Sequence, residues 1–255
     1  MNRNEESSDN IQYNPQFDPQ FDRSRYANSF DEDKEYDNFE IKPDFKEVPL
    51  KDLRVSADKP GISSEERKKN VKKLAGAISH SLRTSGEINV RCFGNASIGK
   101  ATKALSIARE YINQTDEIRL SFSPAFIESE IGGQNLTGIS FCTFTTDDAS
   151  ESDLDDVESV LMAKADPKDI GVEERKVRVR KLAGAISHAV AQNKECVIRC
   201  FGNSAIGKAA KALAIARGFT ATRGPDLYCW ATFIVSKLED GTELTGIAFF
   251  AYSNE

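Results

Sequence analysis

Long apolar runs are missing. Nothing in the 255 residues approaches the roughly 18 consecutive apolar positions of a spanning helix, so no membrane span is expected. The N-terminus also lacks the basic-then-apolar order of a secretory signal, and the protein is expected to stay inside the cell, in the cytoplasm or with the nucleoid or nucleus. Histidine occurs only twice, tryptophan once, and cysteine five times, an odd number with no C-x-x-C pair. Cys92, Cys142, Cys196, Cys200 and Cys229 mostly sit in apolar, strand-like segments and read as reduced, buried small hydrophobes. His80 and His188 are the only further soft ligands, so neither a structural metal site nor a cofactor is expected.

Charge is present but unevenly spread. Residues 1–50 hold 6 Lys/Arg against 13 Asp/Glu, residues 51–146 hold 14 against 10, residues 147–159 hold 7 acids and no base, and residues 160–255 again hold 14 against 10. The overall charge of −6 therefore conceals two mildly basic bodies and two acidic pieces. In residues 1–50, Phe17, Phe21, Tyr26, Phe30, Tyr36, Phe39 and Phe45 stand isolated among polar residues without helix or strand period, which predicts a disordered acidic tail. Those aromatics are either inert or short docking elements for a protein partner or the folded part. Residues 147–159 read as an acidic linker.

The two basic bodies are copies of one another. KLAGAISH at Lys73–His80 returns at Lys181–His188, RCFGN at Arg91–Asn95 returns at Arg199–Asn203, and IGKA at Ile98–Ala101 returns at Ile206–Ala209. Residues 72–109 and 180–217 match at 24 of 38 positions without a gap, at an offset of 108. An offset of that size is a whole domain rather than a solenoid unit. The domains are accordingly 51–146 and 160–255.

Each copy reads as strand, helix, strand, helix, strand, strand. Leu53, Val55 and Ala57, like Leu161, Ala163 and Ala165, alternate as a strand does. Pro60–Gly61 breaks the chain, Ser63 or Ser64 caps a helix, and Val71, Leu74, Ala75, Ile78 and Leu82 form its core stripe. Val179, Leu182, Ala183, Ile186 and Val190 repeat that stripe. Ile88, Val90 and Cys92 then alternate with Arg91 and Phe93, as Cys196, Ile198 and Cys200 do with Arg199 and Phe201. A glycine turn leads to the stripe Ile98, Ala101, Leu105, Ala108, repeated at Ile206, Ala209, Leu213, Ala216. A long hairpin closes each copy, turning at Gly132–Gly133 and Asp240–Gly241. Helical connections between strands imply a two-layer α/β fold.

The spacing Gly94-x-x-x-x-Gly99-Lys100, repeated as Gly202-x-x-x-x-Gly207-Lys208, follows a strand and enters a helix like a nucleotide-binding P-loop. Ala101 and Ala209 occupy the place of the magnesium-binding hydroxyl, and a methyl group cannot ligate a cation. Nucleotide hydrolysis is set aside, and no coherent enzyme reaction emerges. Non-catalytic phosphate contact stays open: a Gly-Asn turn exposes unpaired N–H groups, and Lys100 and Lys208 lie where the helix dipole disfavours a cation. Lys103 and Lys211 project nearby, and the bland alternative is a solvated Lys pair. Arg91, Arg199, His80 and His188 read as interface or structural residues. Arg109 and Arg217 suit the C-terminal dipole of their helix. Trp230 offers either strand packing or base stacking.

The ordered combination LRVSA, KLAGAISHSLR and GEINVRCFGNASIGKATKALSIAR resembles the stage V sporulation protein S family. The second copy resembles it more closely, with KALAIARGF at Lys211–Phe219 and GPDL at Gly224–Leu227. That family is related in fold to Alba domains, chromatin and RNA-binding proteins of β-α-β-α-β-β arrangement that commonly dimerise. The resemblance implies two Alba-like modules that pair as a pseudo-dimer or form homo-oligomers. It also implies contact with DNA or RNA at the terminal hairpins and at the turn opening the second helix. The residues so implied are Gly94, Asn95, Ser97, Lys100 and Lys103, with Gly202, Asn203, Ser204, Lys208 and Lys211. The expected function is a non-catalytic nucleic-acid-binding protein; a structural or regulatory oligomer-forming module is the alternative.

Overall fold

The structure, a computed structural model, describes residues 52–114, 118–131, 133–146, 156–222, 224 and 226–253. The expectations for the acidic tail and for most of the acidic linker fall outside these residues. The first copy runs β1 (Asp52–Val55), α1 (Ser64–Ser85), β2 (Glu87–Cys92), α2 (Asn95–Asn113), β3 (Arg119–Ile131) and β4 (Gln134–Thr146). The second runs β5 (Val160–Ala163), α3 (Val172–Asn193), β6 (Glu195–Cys200), α4 (Asn203–Ala221), β7 (Leu227–Lys237) and β8 (Glu243–Ser253). The fold is mixed α/β, and its element order is the one the apolar patterns predict.

Local signals set the helix limits. Ser63 caps α1 by accepting the amide of Glu66 at 3.1 Å, and Gly86 ends it in the left-handed region at φ 75°. In α3 the cap is Gly171, without a side-chain bond, and Lys194 takes the left-handed position at φ 62°. Both first helices begin with acids, Glu65 and Glu66 in α1, Glu173 and Glu174 in α3. Their negative charge complements the dipole.

All eight strands form one sheet in the order β1-β2-β4-β3-β7-β8-β6-β5. The short outer strands β1 and β5 run parallel to β2 and β6; the other pairings are antiparallel. The order reads identically from both edges, so the two copies are related by a local two-fold axis at the β3–β7 seam. There Phe122 faces Cys229. These two are counterparts, since Phe122 opposes Thr143 in its hairpin as Cys229 opposes Ala251.

One continuous core lies between the sheet and the four helices. Ile78, Ile98, Leu105, Phe122, Phe141, Ile186, Leu213 and Phe249 are fully buried in it. Each such side chain contributes roughly 2 kcal/mol relative to exposure. The core crosses the seam: Phe122 meets Phe141 of its own copy at 5.2 Å and Phe249 of the other at 6.4 Å, both edge-on. A second, smaller cluster of Val157, Val197, Trp230, Ala248 and Phe250 covers the opposite face of the sheet in the second copy. At the matching positions the first copy has Asn89, Ser123, Ser140 and Cys142.

The hairpins outrun their neighbours. β4 pairs with β2 only from Ile139 to Phe144, yet β3 and β4 stay paired out to Ile131 and Gln134. Likewise β8 pairs with β6 from Ile247 to Tyr252, while β7 and β8 continue to Lys237 and Glu243. Two arms project beyond the body.

Candidate nucleic-acid interface

The glycine turn that opens α2 is set by Gly94 at φ 82°, a value that L side chains rarely adopt, and Gly202 opens α4 at φ 83°. Neither cap supplies a side-chain hydrogen bond, and neither helix has an acid in its first turn. Both helices therefore present unmet amides and, unlike α1 and α3, a positive dipole end with no acid beside it.

The two-fold axis brings these helix starts together. Asn203 at the start of α4 packs on Gly99 of α2, and Asn95 at the start of α2 packs on Gly207 of α4. Lys103 donates to Asn203 Oδ1 at 3.4 Å, and Lys211 donates to Asn95 Oδ1 at 3.3 Å. The second glycine of each P-loop-like spacing is thus a packing site for the other copy's asparagine, since any Cβ there would collide with that side chain. Burial pushes the Lys211 ammonium pKa down, only partly countered by the charge of Asp166.

Lys100 and Lys208 are placed differently from their neighbours. Lys100 pairs with Asp58 at 2.6 Å and Lys208 with Asp166 at 2.5 Å, and every one of these side chains is less than one-fifth exposed. Asp58 also accepts from Asn70 of α1. Burial raises the Asp58 pKa, but the hydrogen bonds from Lys100 and Asn70 and the charges of Lys100 and Arg67 outweigh it, so the net shift is downward. Ser97 is buried and turns its hydroxyl back to the carbonyls of Phe93 and Gly94. Ser204, Asn203, Gly202 and Gly94 are exposed, while Asn95, Lys103 and Lys211 are half-buried.

The candidate interface residues lie elsewhere. Arg91 is on the sheet face away from the helices, paired with Asp52 at 2.9 Å. Arg199 is its counterpart, but Val160 replaces that aspartate, and the buried Arg199 Nε has no hydrogen-bond partner. His80 is exposed on α1 and His188 half-buried on α3.

Two arginines matter more than their sequence position indicated. Arg109 is a full turn inside α2, is 5% exposed, and donates to the carbonyl of Leu120 at 2.8 Å. Its guanidinium lies 4.2 Å from the ring centre of Trp230 in the other copy. Phe250 stacks on Trp230 at 3.8 Å and 7°. Two groups at such distances must take opposite faces, so the indole has no face left for a base. Arg217, the counterpart, instead forms a two-pronged pair with Asp226 at 2.7 and 2.8 Å. Local sequence carried no signal for the Arg109 contact, because Trp230 has Ser123 as its counterpart.

The remaining shared motifs also have packing roles. Gly138 and Gly246, from the repeated LTGI, lie directly under Phe93 and Phe201 of the repeated RCFGN. The cysteines are passive: burial pushes the thiols of Cys92 and Cys196 up to about 12 and raises those of Cys200, Cys142 and Cys229. The arms are acidic, with Glu128 and Glu130 on the first and Glu239, Asp240 and Glu243 against Lys237 on the second.

The family model of stage V sporulation protein S matches residues 62–146 and 174–253, more than half of the chain in two segments. The chain belongs to that family and carries two of its modules in tandem.

Proposed function

We propose that this is a non-catalytic, sporulation-related regulatory protein that binds the phosphate backbone of DNA or RNA across its central helix starts. One observation carries the reading. Two uncapped, acid-free helix N-termini stand side by side on the two-fold axis, with Lys103 and Lys211 bonded only to neutral asparagines. Dipole ends of like sign and two ammonium groups gathered there favour an anion. The kinship in fold with Alba domains, noted from the sequence, agrees with a nucleic-acid ligand. The acidic arms repel phosphate, so contact belongs to the helix starts rather than to the hairpins.

Backbone contact implies salt-sensitive affinity with weak sequence preference. The test is equilibrium binding of the full chain to single- and double-stranded DNA and RNA as salt is raised. Lys103→Ala with Lys211→Ala should weaken binding about equally for all sequences and lower the salt slope by about 1.5. Absence of binding to every polymer at low salt overturns the reading.

A further inference from the structure

We infer that the exposed face of α1 is a second nucleic-acid contact surface, and that it is stronger than the matching face of α3 in the second copy. Lys68, Lys69, Lys72 and Lys73 occupy positions i, i+1, i+4 and i+5 and are all exposed. They form two rows one helical turn apart on a single face. Among the described residues, no hydrogen bond or ion pair reaches any of the four, although Glu65 and Glu66 precede them by less than two turns. Glu65 lines the same surface but bonds to none of them, and four ammonium groups around one carboxylate are relieved by a polyanion.

The second copy is less cationic at the matching positions, Lys176, Val177, Arg180 and Lys181. On α3, Lys176 pairs with Glu173 at 2.8 Å and Arg178 with Glu174 at 2.7 Å. Arg180 adds its charge to Glu173. Arg175 is turned to the carbonyl of Lys168, and Val177 stands where α1 has Lys69. Among the described residues, α3 therefore keeps two cations without an ion pair at the four matching positions, Arg180 and Lys181, where α1 has four.

The chemistry selects a nucleic-acid backbone rather than a lipid surface. The apolar residues of α1, Val71, Leu74, Ala75, Ile78 and Leu82, belong to the core and leave none on the lysine face to enter a bilayer. Asp58 joins Asn70 of α1 to Lys100 of α2, so α1 packs beside the helix that opens at Gly94. A strand lying over the axis and continuing onto α1 meets a net positive face, whereas one continuing along an arm meets a net negative one.

This inference extends the nucleic-acid reading and fails separately from it. The full chain is titrated with single-stranded RNA and double-stranded DNA across a salt series. The variants are Lys68→Ala, Lys69→Ala, Lys72→Ala and Lys73→Ala together, and Arg175→Ala, Lys176→Ala, Arg180→Ala and Lys181→Ala together. The α1 variant should lower the salt slope by about 3, and weaken low-salt binding at least about tenfold. The α3 variant should lower the slope by no more than about half as much. Arginine at the four α1 positions should restore binding, and unchanged thermal unfolding confirms the fold. Equal losses from both helices overturn the asymmetry. An unchanged slope in the α1 variant, with Lys103 and Lys211 still required, overturns the α1 surface and leaves the central site. Failure of the unaltered chain to bind overturns both.

Discussion

At the scale of single residues, glycine positions separate packing from chain freedom. Gly99 and Gly207 lie under the asparagines of the opposite copy, so Gly99→Ala or Gly207→Ala forces the seam apart. Each should cost about 1–3 kcal/mol in chemical denaturation, the usual penalty of overpacking. Gly76 is exposed inside α1 with nothing within 4 Å of an added Cβ, so Gly76→Ala should instead stabilise by about 0.5–1 kcal/mol. Destabilisation of equal size at Gly76 and Gly99 contradicts the packing role. Asp58 makes a pH-dependent prediction. Its folded pKa lies below the ordinary value of 3.8, so its contribution is complete above that value and is lost as pH falls through the lower folded one. Asp58→Asn should cost about 1–3 kcal/mol near neutrality, where Lys100 loses its partner, and progressively less as pH falls below 3.8 through the folded pKa. A penalty independent of pH refutes the ion pair as its source.

At the scale of elements, the helix ends give a direct comparison between the copies. Gly86 and Lys194 are counterparts in the left-handed position that closes the first helix of each copy. An L side chain pays about 1 kcal/mol for that backbone, and glycine pays little. Lys194→Gly should therefore stabilise by about 0.5–1 kcal/mol, and Gly86→Ala should destabilise by about 1 kcal/mol; differential scanning calorimetry reads both. Elements of this kind were legible in the sequence because their causes are local: the stripe from Val71 to Leu82, the Ser63 cap, the Asp240–Gly241 turn. The site was legible only in part. Gly94, Asn95 and Lys103 were singled out from the turn and the dipole, but Gly99 and Lys100 owe their places to Asn203 and Asp58, which are remote in sequence. Arg109 looked like a cation at a helix end; its ring contact with Trp230 depends on strand order across the seam, which no local period encodes. Likewise, a row of lysines on α1 reads as an ordinary solvated face until the weaker, partly paired counterpart on α3 is set beside it.

At the scale of the whole molecule, the two copies should behave as one folding unit, despite joining β3 to β7 through a single paired position. Sheet hydrogen bonding at the seam is slight, so the coupling must come from side chains. Ser121 meets the Tyr252 hydroxyl at 2.9 Å, Ser123 donates to the Leu227 carbonyl at 3.2 Å, and Phe144 contacts Tyr228 at 5.5 Å. Arg109 adds its contact with Trp230, Phe122 its contact with Phe249, and α2 packs on α4 through small residues that let the helices approach. A copy separated from its twin exposes Phe122 or Cys229, both fully buried, along with the facing sides of α2 and α4. Unfolding one copy therefore destabilises the other, and thermal unfolding should be a single transition with equal calorimetric and van't Hoff enthalpies. Arg109→Ala leaves the Leu120 carbonyl and one face of Trp230 without their partner and should lower the midpoint by several degrees while keeping the transition single. A protease site placed within residues 147–155 gives the sharper test. After cleavage the halves should co-elute and melt together, because the shared core, rather than the connecting chain, holds them; separate elution or two transitions would show that the seam is too weak to act as an interface.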